Sequence, residues 1–328
     1  MTLILRRGDL EPLVDMRATI EAVDAAMGDV ARGTAVQPAP ALMRLPGSDS
    51  GFLPMAAASQ RAGLAAVKLL ADVPANAEHG LPTQRSSIVL VSTDTGEVLA
   101  VLDGAVPTRI RTAAATAVAT RHLARPGSTT LGLVGAGALA VAHVTAMLEV
   151  LPIGTVHFWT RSRATAHGFQ KAIEQHGLKV RLLESPHAVA QSVDVLCTLT
   201  PAVEPVVHGA SFVPGLHVNA VGARPRPDHR EVDTEAILRS RVFVDSLPTV
   251  RQKSGDIVIP VNEGALRFDD LEGELGSVIA GLHPGRKSED DITLFKSVGL
   301  GLQDLAIGRL LVDAALATGR GVRVDLRA

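Results

Sequence analysis

The run Thr129-Thr130-Leu131-Gly132-Leu133-Val134-Gly135-Ala136-Gly137-Ala138-Leu139-Ala140 has the residue types and spacing of a phosphate cradle. An apolar, strand-like stretch ends in Gly-x-Gly-x-x-Ala, and an Ala-rich helical pattern runs on from Ala138 to about Leu151. Gly135 permits the tight turn out of a strand, Gly137 lets the backbone approach a pyrophosphate, and Ala140 lets the new helix pack on the strand. The helix start at Ala138 would offer free N–H groups and a positive dipole end to the phosphates. The next expected strand, residues 156–160, ends in Thr160-Arg161-Ser162-Arg163. An NAD-selective site would carry Asp or Glu there for the ribose hydroxyls. Two guanidiniums and two hydroxyls suit a 2′-phosphate instead. The expected cofactor is therefore NADPH, with NADH the alternative.

A second kind of chemistry is suggested by cations in apolar surroundings. Lys68 sits inside the strand-like run Ala65-Ala66-Val67-Lys68-Leu69-Leu70. Burying an ammonium there is costly unless something anionic meets it. Arg44, in Leu42-Met43-Arg44-Leu45-Pro46, follows the same logic in weaker context. Arg109 and Arg111 both head a helix of small residues, and the local pattern does not choose between them.

These groups need elements to hold them. Residues 10–33 read as an amphipathic helix, with Ile20, Val23, Met27 and Val30 at helical spacing. Residues 41–104 read as strands, among them 52–55, 64–70, 87–91 and 98–102, with a hairpin turn at Asp94-Thr95-Gly96-Glu97. A long Ala/Thr-rich helix follows from Thr108 to about Ala124 and is stopped by Pro126-Gly127. Strands at 131–134, 156–160, 180–183, 193–199, 217–221 and 242–244 then alternate with helices, the signature of a parallel sheet. A last helix is expected at about 298–318. The expected architecture is α/β. A Rossmann-type doubly wound domain spans residues 119–299, and an α+β domain is built from both chain ends, residues 1–118 and 300–328.

Composition narrows the classes. The chain has 328 residues, 46% of them hydrophobic, and a formal net charge of −2. That suits a packed globular protein and argues against a general nucleic-acid or membrane-surface binder. Aromatic residues make up 2% and tyrosine is absent, so stacking platforms for bases are nearly unavailable. The single cysteine, Cys197, lies in an apolar run and suits a buried structural residue; with no partner in the chain it fits an intracellular, cytoplasmic setting. The first seven residues carry no long apolar segment of signal type. Eleven histidines form no HxxxH pair on an expected helix, His79 reads as a loop residue, and no Cys/His cluster points to a metal.

Ala66-Val67-Lys68, Gly80-Leu81-Pro82-Thr83, Thr108-Arg109-Ile110-Arg111-Thr112-Ala113-Ala114, Gly135-Ala136-Gly137, Asn219-Ala220-Val221-Gly222, Ser254-Gly255-Asp256 and Asp291-Ile292-Thr293-Leu294-Phe295-Lys296-Ser297-Val298-Gly299 occur in this order. Together they make the chain resemble the ornithine cyclodeaminase/μ-crystallin family along almost its whole length. The resemblance implies a homodimer, a nicotinamide cofactor, and a substrate of amino-acid or cyclic-imine type. It implies that the chain-end domain binds substrate and makes the dimer contact. By position it implies that Arg44, Lys68 and Arg111 hold the substrate carboxylate. Thr83, Arg111 and Thr112 would lie near the cofactor, and Ser297 would approach the nicotinamide. Asp256 is read as a structural turn or cap residue.

One departure bears on mechanism. Cyclodeaminases of this family place an Asp base just after a Val-Gly-Gly or Val-Gly-Ala step, whereas Arg224 follows Val221-Gly222-Ala223 in this chain. The loop is also one residue longer than in μ-crystallin-like chains, and Asp228 reads as a cap before the next helix. Oxidative deamination with ring closure would lack its base, while imine reduction needs a hydride, a carboxylate clamp and a proton. The expected activity is NAD(P)H-dependent ketimine reduction of Δ1-pyrroline-2-carboxylate or Δ1-piperideine-2-carboxylate to the cyclic L-amino acid. The alternatives are an ornithine cyclodeaminase or alanine-type deaminating dehydrogenase, an opine-like condensing reductase, and a non-catalytic NADPH-binding, crystallin-like protein.

Overall fold

The structure is a computed structural model and describes residues 1–326. Contacts divide the chain into two units, Met1–Arg111 with Gly299–Ala328, and Thr112–Val298. Strands are numbered β1–β16 in chain order.

The first unit holds a largely antiparallel sheet. Its strands are β1 (Thr2–Leu5), β2 (Ala35–Val36), β3 (Met43–Arg44), β4 (Gly51–Ser59), β5 (Leu64–Asp72), β6 (Gln84–Ser92), β7 (Val98–Asp103) and, from the other chain end, β16 (Val322–Val324). They lie in the order β16-β1-β7-β6-β5-β4-β2, with β3 also on β4. Burial alternates along β4, as it must when one sheet face meets a core. That face packs against the C-terminal helix Gly301–Thr318, which in turn packs on helix Met16–Ala31. On the opposite face of β5, Val67 and Leu69 stay exposed.

Three helix starts differ from expectation, one of them the helix expected from Thr108, which begins at Ala105. Pro12 confines residues 11–13 to a single 3-10 turn, and the Asp15 carboxylate then accepts from the Ala18 N–H, so the first long helix begins at Met16. Gly299 adopts φ +81°, which interrupts the backbone and delays the last helix to Gly301.

The second unit is a wholly parallel sheet of β8 (Thr130–Val134), β9 (Thr155–Trp159), β10 (Lys179–Leu182), β11 (Val195–Thr198), β12 (His217–Ala220), β13 (Arg241–Val244), β14 (Gly273–Glu274) and β15 (Thr293–Lys296). The order is β10-β9-β8-β11-β12-β15-β13-β14. The first five positions give the doubly wound arrangement, with the topological switch between β8 and β11. The α/β class read from the sequence therefore stands. All four residues of β11, β12 and β15 are buried, as parallel strands covered on both faces require. Some of their polar atoms are paired inside: Asn219 Nδ2 donates to Thr120 Oγ1 at 3.0 Å, and His217 Nδ1 lies 2.9 Å from Thr293 Oγ1. β15 was not expected as a strand, yet it enters the sheet between β12 and β13. Among the described residues no helix is long and apolar enough to cross a membrane.

Candidate active site

In the first unit, β5 points Lys68 into the space under the C-terminal helix, opposite Met55 on β4 and Ile88 on β6. Its ammonium is completely buried and lies 2.7 Å from Asp304 Oδ2. Arg111 Nε meets the other oxygen of the same carboxylate at 3.1 Å, and its Nη1 donates to Gln303 Oε1 at 2.8 Å. Two cations thus share one anion, leaving one net positive charge. Burial pushes Lys68 down, Arg111 lowers it further and Asp304 opposes both, which together bring it to about 8. The anion that a buried Lys68 demands is supplied by the chain itself, from a residue to which the sequence reading gave no role. Arg111 keeps a small exposed fraction, 5%, whereas Lys68 and Asp304 keep none, so a ligand carboxylate would meet Arg111 first.

Gly299 shapes this cluster. A Cβ there would come within 2.8 Å of Arg111 Nη1, and its φ lies in the left-handed region that favours glycine. The choice between the two arginines is also resolved in space: Arg109 pairs with Glu11 at 2.8 Å, away from the Asp304 carboxylate. Arg44 is exposed on the short edge strand β3, paired with Gly51, and is not among the groups that shift Lys68. Thr83 lies in the loop before β6, half-buried, its carbonyl accepting from Val73 N–H at 2.7 Å.

In the second unit the expected cofactor residues gather at the carboxyl edge of the parallel sheet. Gly135 leaves β8 with φ +102°, and a Cβ would strike the Leu199 carbonyl at 2.8 Å, so the turn requires glycine. Gly137 is the N-cap of helix Ala138–Leu148, and a Cβ added to it would meet nothing within 4 Å. Its outward side is thus open in front of uncapped N–H groups. β9 runs beside β8, and the Gly135 N–H donates to Trp159 O at 2.9 Å. Thr160 follows, and Arg161, Ser162 and Arg163 are exposed. Ser162 caps helix Arg163–Ile173 by accepting from Thr165 N–H at 3.4 Å, a task the sequence reading had not given it. Thr112, at the chain division, accepts the Thr116 hydroxyl through its carbonyl.

Ser297 follows β15, and its hydroxyl donates to Asp245 Oδ2 at 3.0 Å. Asp256 is neither cap nor exposed turn. Its Oδ1 accepts the Glu231 and Val232 N–H groups, and its Oδ2 lies 2.7 Å from Lys296 Nζ. Asp228 is exposed, and the following helix Thr234–Leu238 is capped by Asp233, whose Oδ1 accepts from Ala236 N–H at 2.9 Å. Burial pushes the Cys197 thiol up to about 12, which removes it as a nucleophile near neutral pH.

Comparison with known proteins places this architecture. Δ1-Pyrroline-2-carboxylate reductase of Thermococcus litoralis, solved with NADH and L-proline, has TM-score 0.93 and 34% identity, covering 98% of this chain and 100% of that one. An archaeal alanine dehydrogenase solved as a dimer with bound NAD has TM-score 0.93 and 31% identity, covering 99% of both chains. Ketimine reductase mu-crystallin of Rattus norvegicus is 34% identical over 80% of each chain. Residues 1–319 match the ornithine cyclodeaminase/mu-crystallin family as a whole, and the chain belongs to that family.

Proposed function

We propose that the protein is an NAD(P)H-dependent ketimine reductase. Its substrate would be a small cyclic imino acid such as Δ1-pyrroline-2-carboxylate or Δ1-piperideine-2-carboxylate, and its preferred cofactor NADPH. The observation that carries this reading is the buried Lys68–Asp304–Arg111 cluster. One net positive charge, on groups taken out of water, complements one carboxylate and would fix the imino acid by its acid end. Gly135, Gly137 and Ala138 would hold the pyrophosphate, and Arg161 with Arg163 the 2′-phosphate. A reduced nicotinamide, when bound, would supply the hydride for the imine carbon. The nitrogen must gain a proton in the same reaction, and a lysine brought down to about 8 is well matched to give one near neutral pH.

Arg224 stands in the loop after β12 where a deaminating base would be needed, which favours reduction of a preformed imine over cyclisation of ornithine. The exposed Val67 and Leu69 on the outer face of β5 suit burial against a second copy, supporting a homodimer. The test is to follow NADPH and NADH consumption against a panel of cyclic and linear imino acids, beside ammonia release from ornithine and alanine. The cyclic ketimines should be reduced and ornithine should release no ammonia. Stoichiometric ammonia from ornithine at a matching rate would overturn the reading, and so would NADPH binding with no turnover across the panel.

A further inference from the structure

One buried carboxylate, Glu231, ties together the loops that leave two strands at the carboxyl edge of the parallel sheet. Its Oε1 accepts the Thr200 N–H at 2.6 Å and the Thr200 hydroxyl at 2.8 Å, just past β11. Its Oε2 accepts the Gly222 N–H at 2.6 Å and the Ala223 N–H at 3.0 Å, just past β12. Burial pushes the group upward, while Lys296 and the donors on its two oxygens favour the carboxylate form. The two loops also touch backbone to backbone, since a Cβ on Gly222 would lie 2.2 Å from Thr200 N. Glu231 is itself held in place: its N–H donates to Asp256, which pairs with Lys296 at the end of β15. The connection therefore crosses the ends of β11, β12 and β15.

We propose that Glu231 is a positioning residue that sets the loops after β11 and β12 in the shape that receives the nicotinamide half of the cofactor. This rests on the dinucleotide reading above. In a doubly wound sheet the ligand lies across the switch point, with one nucleotide on each side. Here the glycine turn after β8 and Arg161 and Arg163 after β9 lie on the side that takes the adenosine. The β11 and β12 ends lie on the other side, where the nicotinamide must go. Glu231 has no exposed surface of its own, so its effect passes through Thr200, Gly222 and Ala223.

Calorimetric titration with NADPH and with 2′-phospho-ADP-ribose, the same molecule without its nicotinamide, tests this. Glu231→Gln turns one acceptor into a donor and leaves one loop without its anchor. Glu231→Asp keeps the charge but is too short to hold both loops. Both variants should weaken NADPH about tenfold or more, as expected for two lost hydrogen bonds to a charged group. Their affinity for 2′-phospho-ADP-ribose should stay within about twofold of wild type. Unchanged NADPH affinity, equal loss of both ligands, or full rescue by Glu231→Asp would overturn the proposal. Wild-type protein that binds neither ligand would overturn the cofactor reading and this proposal with it.

Discussion

Replacing Asp304 with Asn removes the carboxylate that both Lys68 and Arg111 face, with little change in volume. At 2.7 Å, and with an effective dielectric of about 20, the Lys68 arm corresponds to a gross interaction of ~6 kcal/mol. Even a quarter of that, ~1.5 kcal/mol, is about one pKa unit. Lys68 should therefore fall from about 8 to roughly 7 or below. In the proposed reading, the protonated ammonium is the form that would pair with a substrate carboxylate. Activity that depends on it is present below the Lys68 pKa and lost as pH rises through it. Wild-type kcat/KM for a cyclic ketimine should thus decline above pH about 8, and that of Asp304→Asn about one unit earlier. The ratio of variant to wild type should be near one around pH 6 and about a fifth around pH 8. The imine's own ionisation is common to both proteins, so this ratio isolates Lys68. The assay is loss of NADPH absorbance across a pH series, with melting midpoints recorded, because breaking a buried pair typically costs about 3–5 kcal/mol of stability. A ratio independent of pH, or a limb displaced to higher pH, would refute the reasoning.

Three further outcomes are expected. Removing both Arg161 and Arg163 should weaken NADPH far more than NADH, by roughly 1–3 kcal/mol for each phosphate contact; equal efficiency with the two cofactors in unmodified protein would contradict this. Lys68→Ala should abolish most activity while the protein still folds and binds NADPH. Lys68→Arg separates the roles, since it keeps the charge but gives up no proton, and a kcat loss of about a hundredfold there would identify Lys68 as the donor. Gly299→Ala forces a side chain into a left-handed backbone and against Arg111 Nη1, so KM for the imine should rise with little effect on cofactor affinity, and an unchanged KM would show that the guanidinium can move at no cost.

The parallel sheet was largely legible because most of its strands are short, largely apolar runs separated by helical patterns, β10 and the two-residue β14 excepted. β15 escaped notice because Thr293 and Lys296 bound a short apolar pair, which resembles a loop until the strand is seen inside the sheet, between β12 and β13. There Lys296 is balanced by Asp256, a pairing that joins residues 40 positions apart. Asp304 was overlooked for a related reason. The start of its helix is buried all round, from Gly301 to Gly308, so no amphipathic stripe marks the inward face. A signal existed nonetheless: Gln303-Asp304 is a polar pair in an apolar helix, the same anomaly that singled out Lys68. Lys68 asked for an anion, and sequence reasoning looked for it in a ligand because the partner lies more than two hundred residues away. Ser162 and Asp233 show the limit at short range, since a cap is assigned only when the helix start is known to within a residue.

The Lys68–Asp304 pair also imposes an order on synthesis. When β5 leaves the ribosome its lysine has no counter-ion, because the carboxylate belongs to a helix about 240 residues further on. At roughly 5–20 residues per second the wait is on the order of tens of seconds. Residues 112–298 can complete their own sheet in that interval, but the first unit cannot close over a bare ammonium. Its core stays open until the last stretch of chain arrives, so a chain truncated before Gly301 would leave an apolar sheet face and a lone buried-type cation exposed to chaperones and proteases.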